Sequence, residues 1–168
     1  MTHQGVHDLF SQAAHQFASD VALDRGSRRI TYAELETRSN RLASALLRGG
    51  ASNGALVAIL AEDPIEVTTA ILGILKAGGV FVPLDPGFPA KRLQAMTAQV
   101  RPEWYVVEPR YFRKPAELGA PDGASIIGFD QLAGEEATRP SVESSGDSRV
   151  RSTSLRARRA VPRPFWGG

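Results

Sequence analysis

Three histidines could bear on metal chemistry, because His3, His7 and His15 would share one face of a helix begun early in the chain. No Asp, Glu or Cys completes a recognised ligand spacing around them, so ordinary surface histidines are the expectation. Serine, histidine and acid all occur, but nothing has the G-x-S-x-G form that presents a hydrolase nucleophile. The chain has no cysteine, which excludes disulfides, a thiol nucleophile and thiolate zinc sites. Neither G-x-x-x-x-G-K-[ST] nor G-x-G-x-x-G occurs, so no nucleotide site is read from motifs alone. Gly49-Gly50 and Gly78-Gly79 each follow a helical pattern, the wrong end for an anion, and read as left-handed C-caps. Lys76 falls in a last helical turn, where a cation complements the helix dipole. Asp85 lies just past a strand's carboxyl end, where open α/β sheets take ligands, yet Asp-Pro-Gly is equally a turn signal.

The elements around these residues are read from periodicity. Val6, Leu9, Phe10, Ala13, Ala14 and Phe17 recur at three and four, an amphipathic helix. Val21-Ala22-Leu23 and Arg29-Ile30-Thr31 flank Arg25-Gly26-Ser27 as a small hairpin. Thr31-Tyr32-Ala33-Glu34 is a capping box that opens a helix with Leu35, Leu42, Ala45 and Leu46 on one face. Leu56 to Leu60 is a continuous apolar run, as a strand buried on both faces requires. Asp63-Pro64-Ile65-Glu66 starts another helix, running to Lys76-Ala77, and Val80-Phe81-Val82 is the next strand. Strand, helix and strand in so short a span make a βαβ unit with parallel strands. A helix over 90–99 with Leu93 and Met96 inward, a strand from Trp104 to Val107 and a further one near Ser125 to Phe129 continue the pattern. The expected fold class is α/β. After Leu132 neither period persists, and the end of the chain is expected to be disordered.

At 168 residues the chain can bury a core, and 42% hydrophobic with 23% charged residues suits a globular domain. The longest greasy stretch, Val67 to Lys76, is too short to span a bilayer. The first residues lack a basic start and apolar core, so no membrane partner and a cytoplasmic location are expected. Net charge is +2, but unevenly spread. Arg149, Arg151, Arg156, Arg158, Arg159 and Arg163 oppose only Glu143 and Asp147 in residues 141–168. The rest of the chain is therefore mildly acidic, with 14 basic groups against 16 acidic ones when those eight are subtracted from 20 and 18. Such an arginine run can bind nucleic acid through phosphate charge, but it lacks a folded platform and reads more readily as solvated.

Two stretches look like something specific. Ile30-Thr31-Tyr32-Ala33-Glu34-Leu35, followed by Asn40-Arg41-Leu42-Ala43, resembles the first core motif of nonribosomal peptide synthetase adenylation domains. Leu75 to Pro86, reading Leu-Lys-Ala-Gly-Gly-Val-Phe-Val-Pro-Leu-Asp-Pro, resembles the second, and Pro89-Ala90-Lys91-Arg92-Leu93 fits the stretch after it. Asp85 favours the peptide-synthetase branch, since many acyl-CoA ligases carry Asn there. Gly79 replaces the usual Ala, Phe81 the usual Tyr and Lys91 the usual Glu. The resemblance is good over residues 6–108 and loose over 109–138.

The resemblance implies an adenylate-forming ligase fold, an amino acid substrate, Mg-ATP, and transfer of the acyl group to phosphopantetheine on a peptidyl carrier domain. It also implies that both motifs present here are structural. The family's phosphate loop, due near residue 150, does not appear, and the later substrate, ribose and catalytic residues cannot be carried over. No catalytic, cofactor-binding or metal residue is therefore assigned. Residues 1–138 are expected to be an N-terminal fragment of an adenylation domain, inactive and without a cofactor when alone, and 139–168 a basic tail. Arg-, Ser-, Ala- and Pro-rich sequence is what a GC-rich gene yields out of frame, so a frameshifted or prematurely ended gene is one expectation. Half of a split ligase, or a small binding protein with an Arg-rich tail, are the alternatives. An unpaired sheet edge and self-association are expected of the fragment.

Overall fold

A computed structural model describes residues 4–135 and 137–140. The chain opens with helix α1, Val6–Gln16, followed by an antiparallel hairpin of β1, Val21–Asp24, and β2, Arg29–Thr31. Helix α2, Tyr32–Arg48, leads into β3, Leu56–Leu60; α3, Pro64–Lys76, leads into β4, Val80–Pro83. Helix α4, Ala90–Val100, then precedes β5, Trp104–Val107. The short α5, Lys114–Glu117, and β6, Ser125–Gly128, complete the sheet. A 3-10 turn over Phe129–Gly134 follows.

Local chemistry explains the boundaries. At the start of α2 the Thr31 hydroxyl accepts from the Glu34 amide at 3.2 Å, while the Thr31 amide donates to the Glu34 carboxylate at 2.8 Å. Asp63 caps α3 by accepting from the Ile65 amide at 2.9 Å, with Pro64 at the first helical position. Both glycine pairs close their helices in the Schellman manner. The Gly50 and Ala51 amides donate to the carbonyls of Leu47 and Leu46, and those of Gly78 and Gly79 to Leu75 and Ile74. The left-handed residues are Gly50 and Gly78, with φ of 96° and 78°.

The main sheet has the order β4-β3-β5-β6, and every pairing is parallel. Alternation along the central strands divides the core in two. Val57, Ile59, Trp104 and Val106 face α2 and α3, where they pack with Leu42, Leu46, Ala70 and Ile74. Ala58, Leu60, Tyr105 and Val107 face the other way, against Leu93 of α4 and Leu118. The result is a three-layer α/β/α arrangement, as the continuous apolar runs predict. A third cluster of Ile30, Leu35, Ile65 and Leu72 seats the hairpin and Phe10 of α1 on α2 and α3.

The α1 helix differs from its pattern. Ala14 is buried and Phe10 half-buried, but Val6, Leu9 and Phe17 are exposed by 69%, 54% and 45%. Its apolar residues form two stripes, and only one meets the α2–α3 layer. No helix of the described residues is long and apolar enough to cross a membrane. Of the tail expected over 139–168, residues 141–168 lie outside the described residues.

Candidate functional site

The strand order places one candidate site. From β3 the chain passes to β4 on one side and then to β5 on the other, so the direction of winding reverses between β3 and β5. Open α/β sheets take ligands outside the carboxyl ends of the strands at such a point. Here the ends carry Glu62 and Asp63 after β3, and Glu108 and Arg110 after β5. A cleft of about 420 Å³ lies over them, lined by Arg25, Ser27, Arg28, Glu62, Asp63 and Arg110.

Glu108 organises the floor. One carboxylate oxygen accepts the backbone amides of Glu62 and Asp63 at 2.7 and 2.8 Å, fixing the turn from β3 into α3. The other accepts the Arg110 guanidinium at 2.7 Å, and that pairing raises the Arg110 pKa above its ordinary value. Arg110 reaches Glu62 at 3.1 Å, while the Tyr111 hydroxyl donates to Glu62 at 2.5 Å. That hydrogen bond raises the Tyr111 pKa. On the other wall Arg28 bridges Asp63 at 2.5 Å and Glu66 at 3.3 Å, and Arg38 joins Glu66 from α2. The cleft's charges largely neutralise one another. The N-terminus of α3, which would suit an anion, is already capped by Asp63. These residues therefore hold the β3–α3 and β5 ends together.

A second cluster lies between the two motif stretches. Lys76 sits in the last turn of α3 as expected, but its side chain is 0% exposed and does not act as a solvated partner of the helix end. Its ammonium donates to Glu36 at 2.6 Å, Ser39 at 2.8 Å and the Asn40 amide oxygen at 2.9 Å, all on α2. An ammonium has three donors, and all three are used. Burial lowers the Lys76 pKa, and the bond to Glu36 opposes that shift. One turn back, Gly73 lets α2 approach closely, since a Cβ there would lie 2.8 Å from Leu42. The signal for this cage was Glu36, Ser39 and Asn40 at spacings of three and four, one α2 face.

The other sequence candidates stay apart. Asp85 is exposed at the end of β4, where its carboxylate accepts the Gly87 amide at 2.8 Å, the turn its Asp-Pro-Gly setting suggests. His7 lies beside Asp8 at 3.8 Å, His15 is exposed, and His3 is outside the described residues. No group of three His, Cys, Asp or Glu residues is arranged to hold a metal among the described residues. The arginines at 149–163 also fall outside them.

Comparison with known proteins agrees with the motif resemblance. The chain is 41% identical over 96 residues to tyrocidine synthase 2 of Brevibacillus parabrevis, covering 57% of this chain and 3% of that protein. It is 29% identical over 145 residues to syringomycin synthase SyrB1 of Pseudomonas syringae pv. syringae, covering 86% of this chain and 22% of that one. The chain thus spans only a small part of the length of these relatives. The solved structure of the nonribosomal peptide synthetase FmoA3 with α-methyl-L-serine-AMP bound shares the fold, with a TM-score of 0.72 at 24% identity. That likeness covers 80% of this chain and 15% of the FmoA3 chain. The family model for AMP-binding enzymes matches residues 10–161, and on that match the chain belongs to the AMP-binding enzyme family.

Proposed function

We propose that this chain forms the N-terminal scaffold of an adenylation domain, the part that activates an amino acid for nonribosomal peptide synthesis. In the complete domain, Mg-ATP and a carboxylate yield an aminoacyl adenylate, and the acyl group passes to a phosphopantetheine thiol on a carrier domain. Residues 1–138 supply the scaffold, and 139–168 form a basic tail. The observation that carries this reading is the meeting of the two motif stretches. Asn40 of the first and Lys76 of the second share one hydrogen bond inside the buried α2–α3 contact. The motifs thus have a structural task in the fragment itself, apart from any nucleotide.

The described residues do not fit a nucleotide. The guanidinium groups at the switch point are engaged by Glu62, Asp63, Glu66 and Glu108, and the α3 N-terminus by Asp63. No step of the reaction is assigned to them. Adenylation depends on positioned donors at the phosphates, and these belong to later parts of the family domain.

Amino-acid-dependent exchange of pyrophosphate into ATP tests the reading. The isolated chain is expected to show none. Mixing it with a polypeptide that carries the phosphate loop and the remaining domain separates a fragment from half of a two-chain enzyme. Exchange by the isolated chain would overturn the scaffold reading.

A further inference from the structure

Glu135 and residues 137–139 lie against α2 and α1 through ties that include two ion pairs and a hydrogen bond. Glu135 pairs with Arg48 near the end of α2, and Arg139 pairs with Asp8 of α1, which lowers the Asp8 pKa. Between them, the Ala137 carbonyl accepts the Asn40 side-chain amide at 3.0 Å. The outer ties are ion pairs between partly exposed groups, and such pairs contribute little. The middle tie differs, because Asn40 is only 5% exposed and its other end meets Lys76.

The chemistry of the three groups fixes the Asn40 amide in one orientation. An ammonium can only donate, so it requires the amide oxygen. A carbonyl can only accept, so it requires the amide nitrogen. Rotating the amide by half a turn would set NH₂ against ammonium and oxygen against carbonyl, losing both bonds at once. Glu36 and Ser39 occupy the remaining Lys76 donors, so the ammonium cannot turn away.

We propose that Lys76 and Asn40 are a positioning pair: buried Lys76 sets the Asn40 amide, and Asn40 latches the chain at Ala137 onto α2. The motif residues of α2 and α3 thereby fix the position of Ala137 against the folded core. The functional meaning rests on the adenylation reading, in which a complete domain carries its phosphate loop after this point. The latch itself is a property of these residues alone.

The test uses the whole chain and a glutamate-specific protease, with fragment masses reporting which bond is cut. Asn40→Asp keeps an acceptor for Lys76 but replaces the donor facing Ala137 with a carboxylate oxygen, which repels the carbonyl. Cutting after Glu135 should rise about tenfold, the loss of one half-buried hydrogen bond. Cutting after the exposed Glu103 and Glu117 should stay at the wild-type rate and reports general loosening. Ser39→Ala removes a Lys76 partner other than the one that holds Ala137, and should leave the bond after Glu135 as resistant as in the wild type. The proposal is overturned if Asn40→Asp is cut after Glu135 no faster than the wild type. It is equally overturned if Ser39→Ala speeds that cut as much, or if Glu103 and Glu117 are cut faster in parallel. No nucleotide enters this assay, so a failure of the adenylation reading would appear in pyrophosphate exchange and leave the protease result standing.

Discussion

Lys76 shows how one side chain can combine cost and purpose. Removing an ammonium from water is unfavourable, and here three acceptors from α2 offset the loss. Lys76→Met would leave the buried Ser39 and Asn40 and the half-buried Glu36 without their donor. We expect that variant to lose on the order of 1–3 kcal/mol at neutral pH, measured by urea denaturation. The pH dependence has a definite sign. Burial holds the folded-state pKa below the ordinary lysine value, so the unfolded chain binds this proton more tightly. The wild-type stability should therefore gain a rising contribution as pH climbs from the lowered pKa towards about 10.4. That contribution falls away as the pH drops back through the folded-state pKa. Lys76→Met should lack it, and identical alkaline slopes for the two proteins would contradict the assignment. The sequence shows the lysine and its place in the last turn, but not that its head crosses to another helix.

At the scale of elements, α2 and α3 meet through Gly73 and Leu42. A Cβ at residue 73 would lie 2.8 Å from the fully buried Leu42 side chain. Gly73→Ala should destabilise by about 1–3 kcal/mol through overpacking. Leu42→Ala alone should cost about 2–5 kcal/mol through the cavity it leaves. Gly73→Ala combined with Leu42→Gly, which removes the Cβ, Cγ and Cδ2 atoms that the added methyl would meet, should cost clearly less than the sum of the two single losses. Additive losses would show that the two positions do not share the contact. The capping box of Thr31 and Glu34, the Asp63-Pro64 start and the two glycine stops are local, and so were legible from residue order. The α1 stripes were not. Val6 and Leu9 follow the same spacing as Phe10 and Ala14, and only the tertiary position of α2 decides which stripe is covered. The network of Glu108 with Arg110 and the β3–α3 turn was also illegible. It depends on β5 lying beside β3, a fact of strand order and not of spacing.

For the molecule as a whole, the arrangement is an α/β/α sandwich whose sheet has outer strands β4 and β6 among the described residues. Val80 on β4 is 49% exposed, and Val6 and Leu9 on α1, with Phe17 just after it, add apolar surface. Exposed strand edges and apolar stripes favour association. Sedimentation should show concentration-dependent self-association, and a Val6→Ser, Leu9→Ser double variant should reduce it. A wild-type chain that stays monomeric at high concentration would contradict this. The α/β class, the parallel pairing and the family were all legible, because each rests on periodicity or on contiguous motifs.

The most direct measurement of the central claim replaces the equivalent segment of an active peptide-synthetase adenylation domain with residues 6–138 of this chain. Amino-acid-dependent ATP–pyrophosphate exchange is then assayed on the folded chimera. The scaffold reading predicts that exchange persists. A well-folded chimera with no exchange for any amino acid would contradict it.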